Sequence, residues 1–309
     1  SLLDAPIALF RGADGRAAAL TDRCPHRNAP LSAGWVDEGL LVCPYHGWRF
    51  DAAGTCQGVP GLCGPAAHHS RAAQAYRVAE GGGLVWVTLE GVGPPPAPVA
   101  PLRGHATALR EFRLRARLAD ALENFLDATH THFVHAGVVR GEGARRQVTA
   151  VVRGRADRVE AEYIGEGQQS GLVSRLFGGG VDRSLGRFIM PATVELEYRS
   201  PQRTMLLLTL HFTPESDDAL RVFVRASGRT APLPAWLVTP PLALLLGLVV
   251  RQDRRILALQ LANIRRFGGE RYTSTELDVM RPHIARLLRG AASESPAAES
   301  FERRVELLL

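Results

Sequence analysis

Short apolar runs separated by Gly and Pro turns fill the first part of the chain. IALF, AAAL, LLVC, WRFD, AYRVAE and LVWVTL are each bounded by turn-forming residues, which predicts the strands of a small all-β domain over residues 1–92. The Pro-rich stretch GVGPPPAPVAP follows, and a stiff linker is expected over residues 93–101. Over residues 102–309 the period changes. EFRLRARLAD alternates Phe112, Leu114, Ala116 and Leu118 against arginines, the pattern of a strand with one buried face. ADALENFLDATHTHFVHAG reads as a helix ending before Gly137. RQVTAVVRGRADRVEAEYIG reads as a hairpin, and ATVELEYRS, RTMLLLTLHFT and ALRVFVRAS as an antiparallel meander. The remainder reads as helical, from about Ala235 to Phe267 with a break near Pro240 and Pro241, then from Ser274 to Leu288. GLVSRLFGGGVDRSLG, residues 171–186, lacks phosphate-loop spacing and reads as a loop. The fold class expected is α+β: an all-β N-terminal domain, then a twisted antiparallel sheet with helices on one side.

Composition narrows the function classes. A chain of 309 residues with 46% hydrophobic content suits two globular domains. The net charge is +6, and every one of the 37 basic side chains is Arg. The arginines are scattered, with no dense basic run and no interleaved aromatics, so nucleic acid is not expected as a partner. A positive rim suits an acidic electron-carrying protein instead. Four cysteines in a chain of this length make no disulfide framework; Cys56 and Cys63 read as ordinary small residues, and the compartment expected is cytoplasmic. Because Ser1 lies close to the first strand, further N-terminal strands are expected to precede it. Leu233 to Val250 carries no charge and has about the length of a membrane span. Pro240-Pro241 interrupts it, so a buried helix or a lipid-surface contact is the expectation rather than a span.

Two of the cysteines sit in a pattern with chemistry. Cys24 and His26 lie in CPHR, and Cys43 and His46 in CPYHGW. Two thiolates and two imidazoles can bind zinc. They can also hold a [2Fe-2S] cluster in which two histidines replace two cysteines on one iron. Zinc fingers place their histidines on a helix, whereas both pairs here fall in Pro- and Gly-containing turns between strands. That context favours the cluster, and the two motifs resemble those of the Rieske domain.

A second set lies in ENFLDATHTHFVHAG. Asn124, Asp127 and His130 are spaced i, i+3, i+6 and are expected on one helix face. His135 follows His130 by five residues, about 140° away on a continuous helix, so both can bind one metal only if the helix ends or distorts between them. His132 points to the other side and is not expected to be a ligand. A carboxylate would complete the facial triad of non-haem Fe(II) oxygenases. Asp253 in VVRQDRRILALQ is the candidate; the bland reading pairs it on the surface with Arg251, Arg254 or Arg255.

Taken together, most of the chain resembles the catalytic α subunit of a Rieske non-haem iron oxygenase, with a lean toward the pheophorbide a oxygenase-like and vanillate demethylase-like branch. The resemblance implies a helix-grip catalytic domain with a [2Fe-2S] cluster on Cys24, His26, Cys43 and His46 and mononuclear Fe(II) on His130, His135 and Asp253. It implies O2 as co-substrate, and NAD(P)H electrons arriving through a separate reductase or ferredoxin. It further implies a homotrimer in which Asp127 bridges a cluster and the iron of the neighbouring subunit, with Asn124 as an amide beside the ligands. The expected substrate is a small hydrophobic molecule, aromatic or not, that is hydroxylated, demethylated or desaturated. The rival reading is a Rieske electron-transfer protein without oxygenase activity.

Overall fold

The computed structural model describes residues 1–89, 102, 104–141, 145–165, 181–230, 233–291 and 300–309. The chain divides into two compact units, Ser1–Ala100 and Pro101–Leu309. The expected linker and most of the Gly-rich loop fall outside the described residues; the end of that loop, from Arg183, is strand instead.

The first unit is built from two four-stranded antiparallel sheets. One runs in the order β1 (Ile7–Arg11), β2 (Ala17–Thr21), β7 (Ala75–Gly81), β8 (Leu84–Thr88). The other runs β3 (Trp35–Asp37), β4 (Leu40–Val42), β5 (Arg49–Phe50), β6 (Cys56–Gly58). Leu20, Leu31, Phe50 and Cys56 form a small core beneath the connecting loops.

The second unit is one eight-stranded antiparallel sheet, in the order β16 (Phe301–Leu308), β10 (Gln147–Gly154), β11 (Arg158–Ile164), β12 (Arg183–Ile189), β13 (Thr193–Ser200), β14 (Arg203–Ser216), β15 (Ala219–Arg229), β9 (His105–Arg115). The predicted alternation is visible in β15, where fully buried Leu220, Val222, Val224 and Ala226 alternate with half-buried Ala219, Arg221, Phe223 and Arg225. Against one face lie α1 (Leu118–Leu126), α2 (Ala235–Arg266) and α3 (Arg281–Ala291). The expected α+β class is therefore present.

Four local expectations are corrected. The first helix ends at Leu126, ten residues short of Gly137's predecessor, so Asp127 and His130 are not on it. The second is unbroken: Pro240 and Pro241 sit inside α2, near its start, and it continues to Arg266. The third helix begins at Arg281 rather than Ser274. The C-terminal FERRVELL is not helical but an edge strand, β16, zipped onto β10 from Gly154↔Phe301 to Gln147↔Leu308.

Candidate metal centres

In the first unit, CPHR and CPYHGW form two loops with the same backbone design. Cys24 N–H donates to the Ala29 carbonyl at 2.8 Å, and its own carbonyl accepts from Asn28 N–H at 2.8 Å. Cys43 N–H donates to the Trp48 carbonyl at 2.8 Å, and its carbonyl accepts from Gly47 N–H at 3.1 Å. Each loop turns through a left-handed residue four places after the cysteine, Asn28 (φ 60°) and Gly47 (φ 68°), residue types that tolerate that conformation.

These loops bring the four candidate residues together. Cys24 and Cys43 are buried, and their thiols contact each other. The rings of His26 and His46 are 4.6 Å apart, and His26 stacks on Trp48 at 4.8 Å. Burial first, and then the neighbouring Cys43 thiol, push the Cys24 pKa up to about 11. Nδ1 of His26 is buried without a hydrogen-bond partner. A buried imidazole nitrogen with no partner is what a ligand awaiting a metal looks like. This donor set fits a mixed Cys/His cluster. Cys56 is a buried free thiol and Cys63 an exposed one.

The second centre depends on how α1 stops. Asp127 adopts extended angles (φ −80°, ψ 117°) after Leu126. Its Oδ1 accepts from Thr129 N–H and from Thr129 Oγ1–H, both at 2.7 Å, and its Oδ2 accepts from His130 N–H at 3.2 Å. This local bonding replaces continuation of the helix. A separate single turn, His130–His132, then carries the first histidine, and the chain turns again to bring His135 in. The distortion required between the two histidines is thus present, but it starts earlier than the sequence suggested.

His130, His135 and Asp253 offer ligand atoms that all lie within 4.8 Å of one another; among the described residues no other such group of His, Cys, Asp or Glu occurs, and His132 is outside it. The two Nε2 atoms are 3.2 Å apart, and Asp253 Oδ1 is 3.1 Å from His135 Nε2 and 3.6 Å from His130 Nε2. Asp253 projects from α2 and is 1% exposed, which removes the surface-pair reading. Three donors about 2.1 Å from one ion and roughly at right angles would be about 3 Å apart, so the spacing suits a shared ion.

The outer nitrogens say the same. His130 Nδ1 lies 2.6 Å from the Asp127 main-chain oxygen, and His135 Nδ1 lies 2.9 Å from Gln252 Oε1. Both partners are acceptors, so both Nδ1 atoms carry the proton and both Nε2 lone pairs face inward. Two lone pairs and a carboxylate oxygen then converge with only one donor among the described residues to satisfy them, Asn124 Nδ2–H at 2.9 Å from Asp253 Oδ1. Such a set calls for a cation. Burial alone would lower the His135 pKa, but Asp253 and Gln252 hold it above the ordinary value. Burial alone would raise the Asp253 pKa, but His130 and His135 pull it below.

Two details differ from the sequence reading. His130 is oriented by the main chain of Asp127, whose carboxylate Oδ2 stays 3.7 Å from Nδ1. Gln252 was not singled out as a site residue; its one signal was its place immediately before Asp253 in an otherwise apolar and basic segment.

Beside the triad lies a cavity walled mainly by hydrocarbon, including Phe125, Leu185, Leu206, Leu245 and Leu246. Its polar rim includes Thr131 and the buried Arg140, whose Nε donates to Thr131 Oγ1 at 2.8 Å.

Comparison with known proteins gives a family match for each part of the chain. Residues 1–68 match the Rieske [2Fe-2S] domain, and residues 114–294, more than half of the chain, match the vanillate O-demethylase oxygenase C-terminal domain. The oxygenase component of dicamba O-demethylase from Stenotrophomonas maltophilia is 31% identical over 215 residues, 64% of this chain and 56% of that protein. A 4beta-methylsterol monooxygenase from Methylococcus capsulatus is 62% identical over 50 residues, 16% of this chain and 14% of that one. The match thus spans little more than half of the first relative and a small part of the second. Among solved structures, dicamba monooxygenase bound to dicamba superposes with a TM-score of 0.75 at 23% identity, covering 94% of this chain and 90% of that one. NdmA of Pseudomonas putida CBB5 with caffeine gives 0.77 at 20% identity, covering 93% and 82%. These superpositions establish the shared fold.

Proposed function

The chain belongs to the Rieske non-haem iron oxygenases with a vanillate O-demethylase-type catalytic domain, and on that premise we propose that it oxidises a small hydrophobic molecule with O2 at an iron held by His130, His135 and Asp253. Electrons come from a reductase or ferredoxin through a [2Fe-2S] cluster held by Cys24, His26, Cys43 and His46. The observation that carries this reading is the convergence of two imidazole lone pairs and a carboxylate on the wall of an apolar cavity.

When bound, the cluster supplies electrons one at a time and the iron supplies O2 activation. The chain does the rest. Asp127 O and Gln252 Oε1 hold the two imidazoles in one tautomer and one orientation. Asn124 fixes the Asp253 carboxylate. The leucines around the cavity favour a hydrocarbon substrate and exclude bulk water from the reacting face. A homotrimer with Asp127 as the bridge between subunits remains part of this proposal; it is supported by the family resemblance.

The test is metal content with matched variants. Purified protein should carry about three irons per chain, two in the cluster and one at the triad. His135→Ala and Asp253→Ala should each lose one iron and all turnover while keeping the reduced-cluster EPR signal; His132→Ala should keep all three. Cys43→Ser should lose the cluster signal, and Cys56→Ser should keep it. A chain with two irons and no loss in the triad variants would leave only an electron carrier.

A further inference from the structure

The outer face of α2 is divided along its length. At 100° per residue, Trp236, Leu237, Pro240, Leu244, Leu248, Arg251, Arg254 and Arg255 share one arc of about 120°. All eight are exposed. Trp236 is 72% and Leu244 67% exposed, and Leu233, just before the helix, is 55% exposed. The opposite face is buried, from Val238 through Asp253 to Leu261. The stripe is therefore apolar over its first half and basic over its second.

The basic half is uncommitted. The side chains of Arg251, Arg254 and Arg255 make no hydrogen bond or ion pair with any described residue. Asp253, the only acid of α2, is buried at the metal site. Glu111, on the groove beside Arg251 and Arg254, is taken by Arg221. An exposed Trp, a leucine stripe and a following collar of free arginines are the parts with which a helix lies in an anionic lipid surface. A second copy stacked stripe to stripe is a poorer occupant, since it would set arginines against arginines or leucines.

We propose that this stripe docks the protein on an anionic bilayer, with Trp236, Leu237, Leu244 and Leu248 in the acyl boundary and Arg251, Arg254 and Arg255 on the lipid phosphates. Leu242, Leu245 and Leu246, on the inner side of the same helix, line the cavity next to His130, His135 and Asp253. Resting on the oxygenase reading, the substrate class that follows is a hydrocarbon-rich molecule dissolved in the membrane.

Vesicle flotation of the metal-loaded protein tests this, using phosphatidylcholine with and without phosphatidylglycerol. The wild type should float with the anionic vesicles, release in high salt, and show a blue-shifted Trp emission. Trp236→Glu with Leu237→Glu, and separately Leu244→Glu with Leu248→Glu, should weaken partition by about a hundredfold. Neutralising the three arginines to Gln should cost about fivefold per charge on anionic vesicles and nothing on neutral ones. Iron content and the cluster spectrum should not change in any variant, so a fault in the oxygenase reading would appear there and not in flotation. A wild type that fails to float at low salt, or Glu variants that float equally well, would overturn the proposal. So would Glu variants whose only change is a smaller assembly by light scattering, which would make the stripe a subunit interface.

Discussion

At the scale of single residues, the proposed triad is oriented by groups outside it. Gln252 illustrates this. Its Oε1 accepts the His135 Nδ1 proton at 2.9 Å in a site where His135 is 3% exposed. Gln252→Leu would leave that N–H buried without a partner, at a cost of about 1–3 kcal/mol, and release the ring to its other tautomer. Fe(II) affinity is expected to fall by about 10- to 100-fold, with the cluster spectrum unaltered. Gln252→Glu keeps an acceptor and should retain binding. Anaerobic Fe(II) titration of the metal-free variants reads both, and wild-type affinity in the Leu variant would remove Gln252 from the site. The candidate ligands could be picked out in the sequence by the spacings Cys-x-His, Cys-x2-His and His-x4-His, and the structure brings His130, His135 and Asp253 within 4.8 Å of one another. Gln252 could not, because an amide beside an acid has no distinctive spacing; only the fold shows which ring it faces.

At the scale of elements, the strands were easier to read than the helix ends. The alternation in β15 and the apolar runs in β10 and β14 report a buried face directly. The end of α1 does not follow from its apolar period, which continues beyond Leu126. It follows from Asp127, whose carboxylate bonds to Thr129 and His130 compete with the helix. Strand β16 was missed because FERRVELL has polar residues on an edge that buries only Leu307 and, in part, Phe301 and Val305. The sheet also carries a pH dependence. His211 of β14 hydrogen-bonds Thr193 of β13 at 3.0 Å, and burial, with Arg225 nearby, brings its pKa down to about 4. The folded protein keeps His211 neutral where the unfolded chain, with a pKa near 6.5, takes up a proton. Between those values the unfolded state binds more protons, so this contribution is complete above about pH 6.5 and is lost as pH falls toward 4. Denaturant melts should show a loss of up to about 1.4 kcal/mol per pH unit over that window, and His211→Asn should flatten it. An unchanged slope in the variant would assign the acid sensitivity to other groups.

At the scale of the whole molecule, each of the two units carries one candidate metal centre, and the proposed function requires electrons to pass between them. In the proposed trimer that passage runs between subunits through Asp127. The structure shows why this residue can serve two purposes. Its Oδ1 is committed to Thr129, which holds the turn that presents His130, while its Oδ2 accepts one hydrogen bond from the described residues, at 3.2 Å, and the side chain is 32% exposed. One oxygen thus builds the site and the other has capacity to accept a hydrogen bond from outside. Asp127→Asn keeps an oxygen for Thr129 and removes the charge and the outward acceptor. The variant should fold, keep both metal centres, and be reduced by its electron donor as the wild type is. Reoxidation of the pre-reduced protein by O2 and substrate should slow by about tenfold to a hundredfold, because the orienting contact at the junction is lost. If Asp127 only ends the helix, the cost is about 1 kcal/mol of stability or less and reoxidation is unchanged. Stopped-flow absorbance of the cluster in a single turnover, alongside a thermal melt, separates the two: a wild-type rate with a slightly lower melting point would confine Asp127 to its turn.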